Sequence, residues 1–507
     1  MNLVRCALPA IAAALLIQTA FALDVDFLDY FAIGSNTSFW DDRTPESEDQ
    51  FWAARERLWL QAQRNAVSAF VRYDVESARY YEGDYDLQAR SFLGQALLKY
   101  SSKTLEAHIG DEQVSVGRGL DLSVVEREEF REELTLQGIG AMARTDYLRI
   151  EAQGGYINMI EGPPILPERA GEPYPSFEQR DVLWFVCGGP TPRGASVELV
   201  YAGGEIKPEE GNKSDLPDPF RLYGVNAELF GELGELFIGY ASYTRENRFK
   251  DASEETEGRA LYFSGTATAG SVTIVVEGKD YYNFLFEYAD PPTLDHPKLA
   301  FGEATYDDVS GVRTEVRWSV LSPLTLRLDG YYQDRRIAGF ATEITRHIYG
   351  GFDYFSPRLN ASVDGGYRHE EYGYYHHGYI SIEARPISWL SVDAYYHFKD
   401  FYSFNPALKS DYTDDLYRFG LSYRGIANLY VQYERSDEPT SAAAIPYASL
   451  SLEGPDYWGG GAILQPADWL KAEVFYGQER GGLSCAGGLC RALPPFQGLR
   501  AELELVF

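Results

Sequence analysis

The stretch Gly498-Leu499-Arg500-Ala501-Glu502-Leu503-Glu504-Leu505-Val506-Phe507 alternates apolar and charged residues before ending in an apolar run. Successive side chains of a β-strand point to opposite faces, so Leu499, Ala501, Leu503, Leu505 and Phe507 share one face while Arg500, Glu502 and Glu504 share the other. One face suits hydrocarbon and the other suits water, the division required of a strand in a transmembrane β-barrel. The pattern recurs along the chain. Leu148, Ile150 and Ala152 alternate with Arg149, Glu151 and Gln153; Val312, Thr314, Val316 and Trp318 alternate with Arg313, Glu315 and Arg317; Leu324, Leu326 and Leu328 alternate with Thr325, Arg327 and Asp329.

These segments are joined alternately by short turns and by longer polar stretches, as expected of periplasmic turns and extracellular loops. Counting them predicts an all-β, antiparallel transmembrane barrel of about 24 strands, in a range of roughly 22 to 26, occupying residues 23–507. Residues 1–22 read as a secretory signal peptide: Arg5 supplies a basic start, Ala7 to Ile17 an apolar run, and Ala20-Phe21-Ala22 a small-residue cleavage site. That apolar run is too short to span a bilayer as a helix. The 38 tyrosines fit the same architecture, because phenol rings favour the boundary between lipid and water.

Charge narrows the partners. The net charge of −31 disfavours nucleic acid, and much of the acidic excess falls in predicted loops, where it would favour cations or hold divalent ions that bridge lipopolysaccharide phosphates. The predicted inner face carries both signs: Arg313, Glu315, Arg317, Arg327, Asp329, Lys471, Glu473, Arg500, Glu502 and Glu504 are read as lumen-lining. Pairs such as Arg149 with Glu151, Arg327 with Asp329, Asp364 with Arg368 and Lys471 with Glu473 suggest ion-pair ladders along a wet wall, or a transverse field across a permeation path.

One stretch departs from simple alternation. In Ile109-Gly110-Asp111-Glu112-Gln113-Val114-Ser115-Val116-Gly117-Arg118-Gly119-Leu120-Asp121-Leu122, glycine brackets Arg118, and the acidic residues Glu126, Glu128, Glu129, Glu132 and Glu133 follow. Glycine in a strand permits a bulge or a close backbone approach, so two readings stand side by side: the chain turns inward here and lays Arg118 and the acidic run across the lumen as a constriction, or it forms a surface bulge with a solvated charge run. Cys485 and Cys490, five positions apart in a Gly-rich stretch, are read as a disulfide in an oxidising exterior, and Cys187 stands alone in a strand.

The Gly-Asp and Gly-Arg-Gly-Leu segment, the Cys-containing stretch and the terminal strand together resemble a family of uncharacterised outer-membrane β-barrels of Gram-negative bacteria. The resemblance implies fold and location without a chemistry, and implies that Phe507 is the signal read by the barrel-assembly machinery. A looser likeness is to large barrels that sheath periplasmic multihaem cytochromes. This chain has no Cys-x-x-Cys-His, so it would be the sheath alone, and no cofactor is expected.

A rim hydrolase is disfavoured. The cluster His369, Glu370, Glu371, His376 and His377 splits by strand parity between the two faces, and there is no Gly-x-Ser-x-Gly or His-Glu-x-x-His. The expected function is therefore a passive, porin-like channel of the outer membrane for small cationic or neutral solutes. The alternative is a scaffold for a periplasmic partner or an external ligand.

Overall fold

The computed structural model describes residues 30–42, 51–80, 88–127, 132–161, 177–206, 218–249, 252–284, 288–289, 292, 294, 308–336, 342–370, 373–404, 411–423, 425–436, 456–479, 482–486, 489–493 and 496–506. The expected signal peptide, Glu128, Glu129, Glu371 and Phe507 lie outside the described residues. Within them, one antiparallel sheet of 25 strands forms. Its smallest member, Glu126–Arg127, pairs only with Glu132–Glu133 at the start of the next strand. Each of the other 24 is hydrogen-bonded to two neighbours, and the first, Tyr30–Asp42, pairs with the last, Phe496–Val506, from Gly34 opposite Val506 to Asp42 opposite Gly498. The ring closes, in agreement with the strand count expected from the alternation.

The connections divide by end. Chain reversals of a few residues join Arg64 to Val67, Arg144 to Leu148, Gly231 to Gly234, Leu321 to Leu324, Phe355 to Leu359 and Ala467 to Leu470. In the first of these, Asn65 takes a left-handed conformation (φ 50°), which its short polar side chain tolerates. The strand ends joined by longer stretches of chain, such as Glu161 with Phe177 and Ser436 with Asp456, lie at the opposite end. The Gly-rich cysteine stretch, expected as a loop, is a hairpin of Gly482–Ala486 and Leu489–Leu493 whose register places Cys485 directly opposite Cys490.

Side chains sort by parity. One face presents large apolar groups to the surroundings, among them Ile139, Leu199, Leu328, Ile348, Leu429 and Val431, all more than half exposed. Aromatic residues ring this face in two bands. Tyr147, Trp318, Phe355, Trp389, Tyr423 and Trp469 sit at or beside the short turns, while Trp184, Tyr201, Tyr223, Tyr402, Trp458 and Tyr476 lie further along the strands. Members of the second band touch across strands, with Trp184 and Tyr201 centroids 5.1 Å apart and Tyr433 and Trp458 centroids 4.3 Å apart. No helix of the described chain is long and apolar enough to cross a membrane. A closed sheet that exposes an apolar band between aromatic girdles crosses it with strands.

On this arrangement Leu503→Arg places a cation in the outer apolar band at a cost of roughly 2–4 kcal/mol near the bilayer middle, whereas Glu502→Gln alters only the opposite face. The expected outcome is a sharp loss of the heat-modifiable folded band on semi-native electrophoresis for Leu503→Arg and none for Glu502→Gln. Equal behaviour of the two would invert or abolish the assigned strand phase.

Candidate functional site

Residues directly opposite one another in a sheet share a face. Register carries one face from Asp329 to Glu315 and Tyr349, and from Arg313 through Glu277, Ser264 and Phe237 to Glu228. It is opposite to the apolar exterior, so it is the inner wall. Two kinds of structure occupy it: a hairpin that leaves the wall, and a network of arginines and carboxylates.

The hairpin begins where Leu105–Glu112, a strand of only eight residues, stops filling the space between Gln88–Ser101 and Glu132–Arg144. Gly110 lies so close to the neighbouring backbone that a Cβ would stand 1.8 Å from the Ala96 carbonyl oxygen, and its φ of 120° is one that side chains rarely adopt. Beyond it the strand parts from Gln88–Ser101, and the Asp111 side chain replaces the missing partner. Its carboxylate accepts the Ala96 N–H at 2.9 Å and the Asn158 Nδ2–H at 3.1 Å. The chain then folds back as Val114–Val116 and Leu122–Val124, paired antiparallel around the turn Gly117–Gly119.

Packing holds this hairpin against the wall. Leu120, Leu122 and Val124 are completely buried with Leu136, Ile157, Leu183, Leu222 and Phe237, an apolar cluster on an otherwise polar face. A second piece of chain joins it: the Ser123 N–H donates to the Tyr288 carbonyl at 2.6 Å, the Tyr288 hydroxyl donates to Asp181, and Tyr288, Ala289 and Leu294 are buried in the same cluster.

Arg118 takes a left-handed conformation (φ 55°) at the hairpin tip, with its guanidinium 4.5 Å from the Phe237 ring centroid and 3.3 Å from the Glu228 carboxylate. Asp121 beside it is wholly buried. Its Oδ2 accepts the Asn226 Nδ2–H at 2.6 Å, while Oδ1 has no hydrogen-bond partner among the described residues. Gly224 makes this approach possible, since a Cβ there would lie 2.0 Å from Asp121 Oδ1. Burial, opposed by the Asn226 hydrogen bond and reinforced by the Glu198 carboxylate, pushes the Asp121 carboxyl up to about 7.

The second feature is centred on Arg313 and Arg327. Arg313 Nε donates to Asp329 Oδ2 at 2.7 Å, and its terminal nitrogens reach Glu277 at 3.2 Å and Glu315 at 3.1 Å. The Tyr349 hydroxyl donates to the same Asp329 oxygen at 2.8 Å, and Arg317 pairs with Glu315. Arg327 meets Asp353 at 2.8 Å and Asp364 at 2.6 Å, and donates to the Tyr379 hydroxyl at 3.1 Å. Ion pairs on Lys99 with Glu106 (2.6 Å) and Arg149 with Glu151 (2.6 Å) extend the pattern around the wall.

Several expected pairs are redistributed. Arg327 leaves Asp329 to Arg313 and takes Asp353 and Asp364, while Arg368 pairs with Glu370 at 2.6 Å rather than with Asp364. Diagonal neighbours on adjacent strands lie within reach of a long arginine side chain, so cross-strand carboxylates compete with those two positions along the same strand. At the closing strand, Lys471 lies opposite Glu504, Glu473 opposite Glu502, and Arg500 opposite Phe475, its guanidinium 5.2 Å from that ring.

Of the acidic run, the described backbone covers Glu126, Glu132 and Glu133. Glu126 turns back against Glu133, and Glu132 and Glu133 already belong to the strand that pairs with Glu161 and Ile160. The rim cluster separates as well. His376 is exposed among the rings of Tyr367, Tyr374 and Tyr402, whereas His377 is buried on the inner face. Among the described residues no group of three or more His, Cys, Asp or Glu side chains is placed to hold a metal ion, and Cys187 is a free, buried thiol. Alternation alone does not single out Asp111, Asp121 or Asn226, although both carboxylates lie within the Gly-rich segment from Ile109 to Leu122.

Residues 467–507 match the model of a family of unknown function, DUF6029. No curated protein matches the chain in sequence. Among solved structures, the chain is similar to the ferric enterobactin receptor PfeA of Pseudomonas aeruginosa at 8% identity, covering 94% of this chain and 81% of that one with a TM-score of 0.48. It is similar to the FrpB iron transporter of Neisseria meningitidis at 10% identity, 95% and 82% coverage and a TM-score of 0.47. It is also similar to OpdQ of P. aeruginosa at 13% identity, 69% and 96% coverage and a TM-score of 0.39. At these levels the similarities carry nothing about what the barrel handles.

Proposed function

We propose that the protein is a passive, cation-favouring channel of the bacterial outer membrane, narrowed by the hairpin on its inner wall. The observation that supports this reading most directly is the inner face of the closed ring, where a hairpin with an arginine at its tip stands on a wall otherwise rich in carboxylates. The charged face of a barrel this wide surrounds an aqueous space, and a segment folded into that space sets its narrowest point. An excess of 76 acidic over 45 basic residues raises the local concentration of cations at such a pore.

Single-channel recording of the refolded mature protein in a planar bilayer under a salt gradient tests the reading. The expected result is stable steps with a reversal potential that favours cations. A folded barrel that stays electrically silent, or one that selects anions, would overturn it.

The hairpin supplies two further tests. Replacing residues 113–125 by a short Gly/Ser link is expected to raise unit conductance, and an unchanged conductance would place the hairpin away from the permeation path. A docked Asp121 holds its proton up to about 7, while an undocked one ionises near its ordinary value of 3.8. The raised value means that docking is strongest below the lower of these and weakens as pH rises through the upper. Conductance or open-state noise should therefore increase between pH 5 and pH 8, and Asp121→Asn should flatten that dependence.

A further inference from the structure

Two imidazoles on the inner wall touch. Nε2 of His347 and Nε2 of His377 stand 2.6 Å apart, with ring centroids 4.8 Å from one another, and the two residues are only 4% and 1% exposed. They come from strands that are not adjacent: Thr342–Phe355 and Gly373–Ile387 are separated by Leu359–His369. The intervening strand carries Gly366 at the crossing, opposite Tyr349 on one side and His377 on the other. A Cβ at that position would stand 2.9 Å from His377 Cε1 and 2.4 Å from Tyr349 Cβ. The missing side chain is what lets the two rings reach across a whole strand.

A neutral imidazole has one N–H and one lone pair. The gap between the two Nε2 atoms has room for a single proton, donated by one ring and accepted by the other. If that proton moves to Nδ1 of its own ring, both Nε2 lone pairs converge on one point, and the pair stays neutral. Two converging imidazole nitrogens chelate a borderline transition-metal ion. Bonds of about 2.0 Å hold the nitrogens about 2.8 Å apart in the tetragonal geometry of Cu2+ and about 3.4 Å apart in a tetrahedral one, so the rings must part by less than about 1 Å.

The neighbours select the kind of ion. Arg368, opposite His347, is tied to Glu370 at 2.6 Å, and Lys399, opposite His377, lies 4.5 Å from the Tyr375 ring centroid and 5.5 Å from that of Tyr412. These cations oppose an ion held by charge alone, and Ca2+ or Mg2+ would also want oxygen ligands. An ion bound through imidazole donation is favoured instead, Cu2+ ahead of Zn2+ and Ni2+. His397, opposite Tyr379 on the same face, adds a further imidazole to this part of the wall.

We propose that His347 and His377 form a two-imidazole site for a borderline divalent transition-metal ion, Cu2+ foremost, on the inner wall of the barrel, with water completing the coordination. The inference is independent of ion conduction. The test is titration of Cu2+ into the refolded full barrel in detergent, with excess Mg2+ present to occupy surface carboxylates, read by equilibrium binding and by electron paramagnetic resonance. The expected result is one tightly held Cu2+ whose spectrum shows splitting from two imidazole nitrogens. His347→Gln and His377→Gln should each weaken binding by an order of magnitude or more and remove that splitting, and His376→Gln, on the outer face, should change neither. A wild-type spectrum with oxygen ligands only would overturn the proposal even if the variants failed to fold. So would a folded His347→Gln protein that retained wild-type affinity and splitting.

Discussion

A backbone amide that crosses hydrocarbon has no water to fall back on, and every feature of this molecule follows from that constraint. Each N–H and C=O of the wall must meet a neighbouring strand, so the sheet closes on itself, with Tyr30–Asp42 against Phe496–Val506. Closure separates two environments. Side chains of one parity then meet lipid and are selected to be apolar, as Leu328, Ile348 and Val431 are, and those of the other parity are free to carry charge.

The same constraint explains why Asp111 matters to the hairpin. A strand that turns away from the wall strands the amides of its neighbour, and a carboxylate is a strong enough acceptor to stand in for a lost carbonyl. Asp111 does this for Ala96 while also accepting from Asn158 on the far side. Removal of that acceptor would leave buried donors unsatisfied, at a cost of about 1–3 kcal/mol for each group. The inner wall solves a related problem with its arginines, each shared among several carboxylates and tyrosine hydroxyls, so that few buried charges face one another without an intermediary.

The barrel was legible in the sequence because its signal is local. Alternation in Val312 to Val320 or in Leu324 to Asp329 fixes face and strand together, and the turns between them are short enough to read by eye. Site details were less legible because they depend on register. Nothing in the sequence says that Arg313 rather than Arg327 will reach Asp329, since the choice depends on the register, which sets Asp329 opposite Glu315 and diagonal to Arg313. The meeting of His347 with His377 is harder still to foresee. It requires two registers and a glycine on a third strand, and parity alone reports only that both rings face inward.

The hairpin differs in kind from the wall it rests on. The wall is held by ladders in which each strand is anchored on both sides, so no single side chain decides its position. The hairpin's two strands pair only with each other, and its hold on the wall comes from apolar packing, the Arg118 ion pair with Glu228 and one carboxyl aimed at Asn226, with the Tyr288 carbonyl bonded to its Ser123 N–H. Apolar packing is indifferent to pH, whereas a wholly buried carboxyl with one unpartnered oxygen costs far more when ionised than when protonated. Asp121 is therefore a point at which a single proton alters the hairpin's hold on the wall.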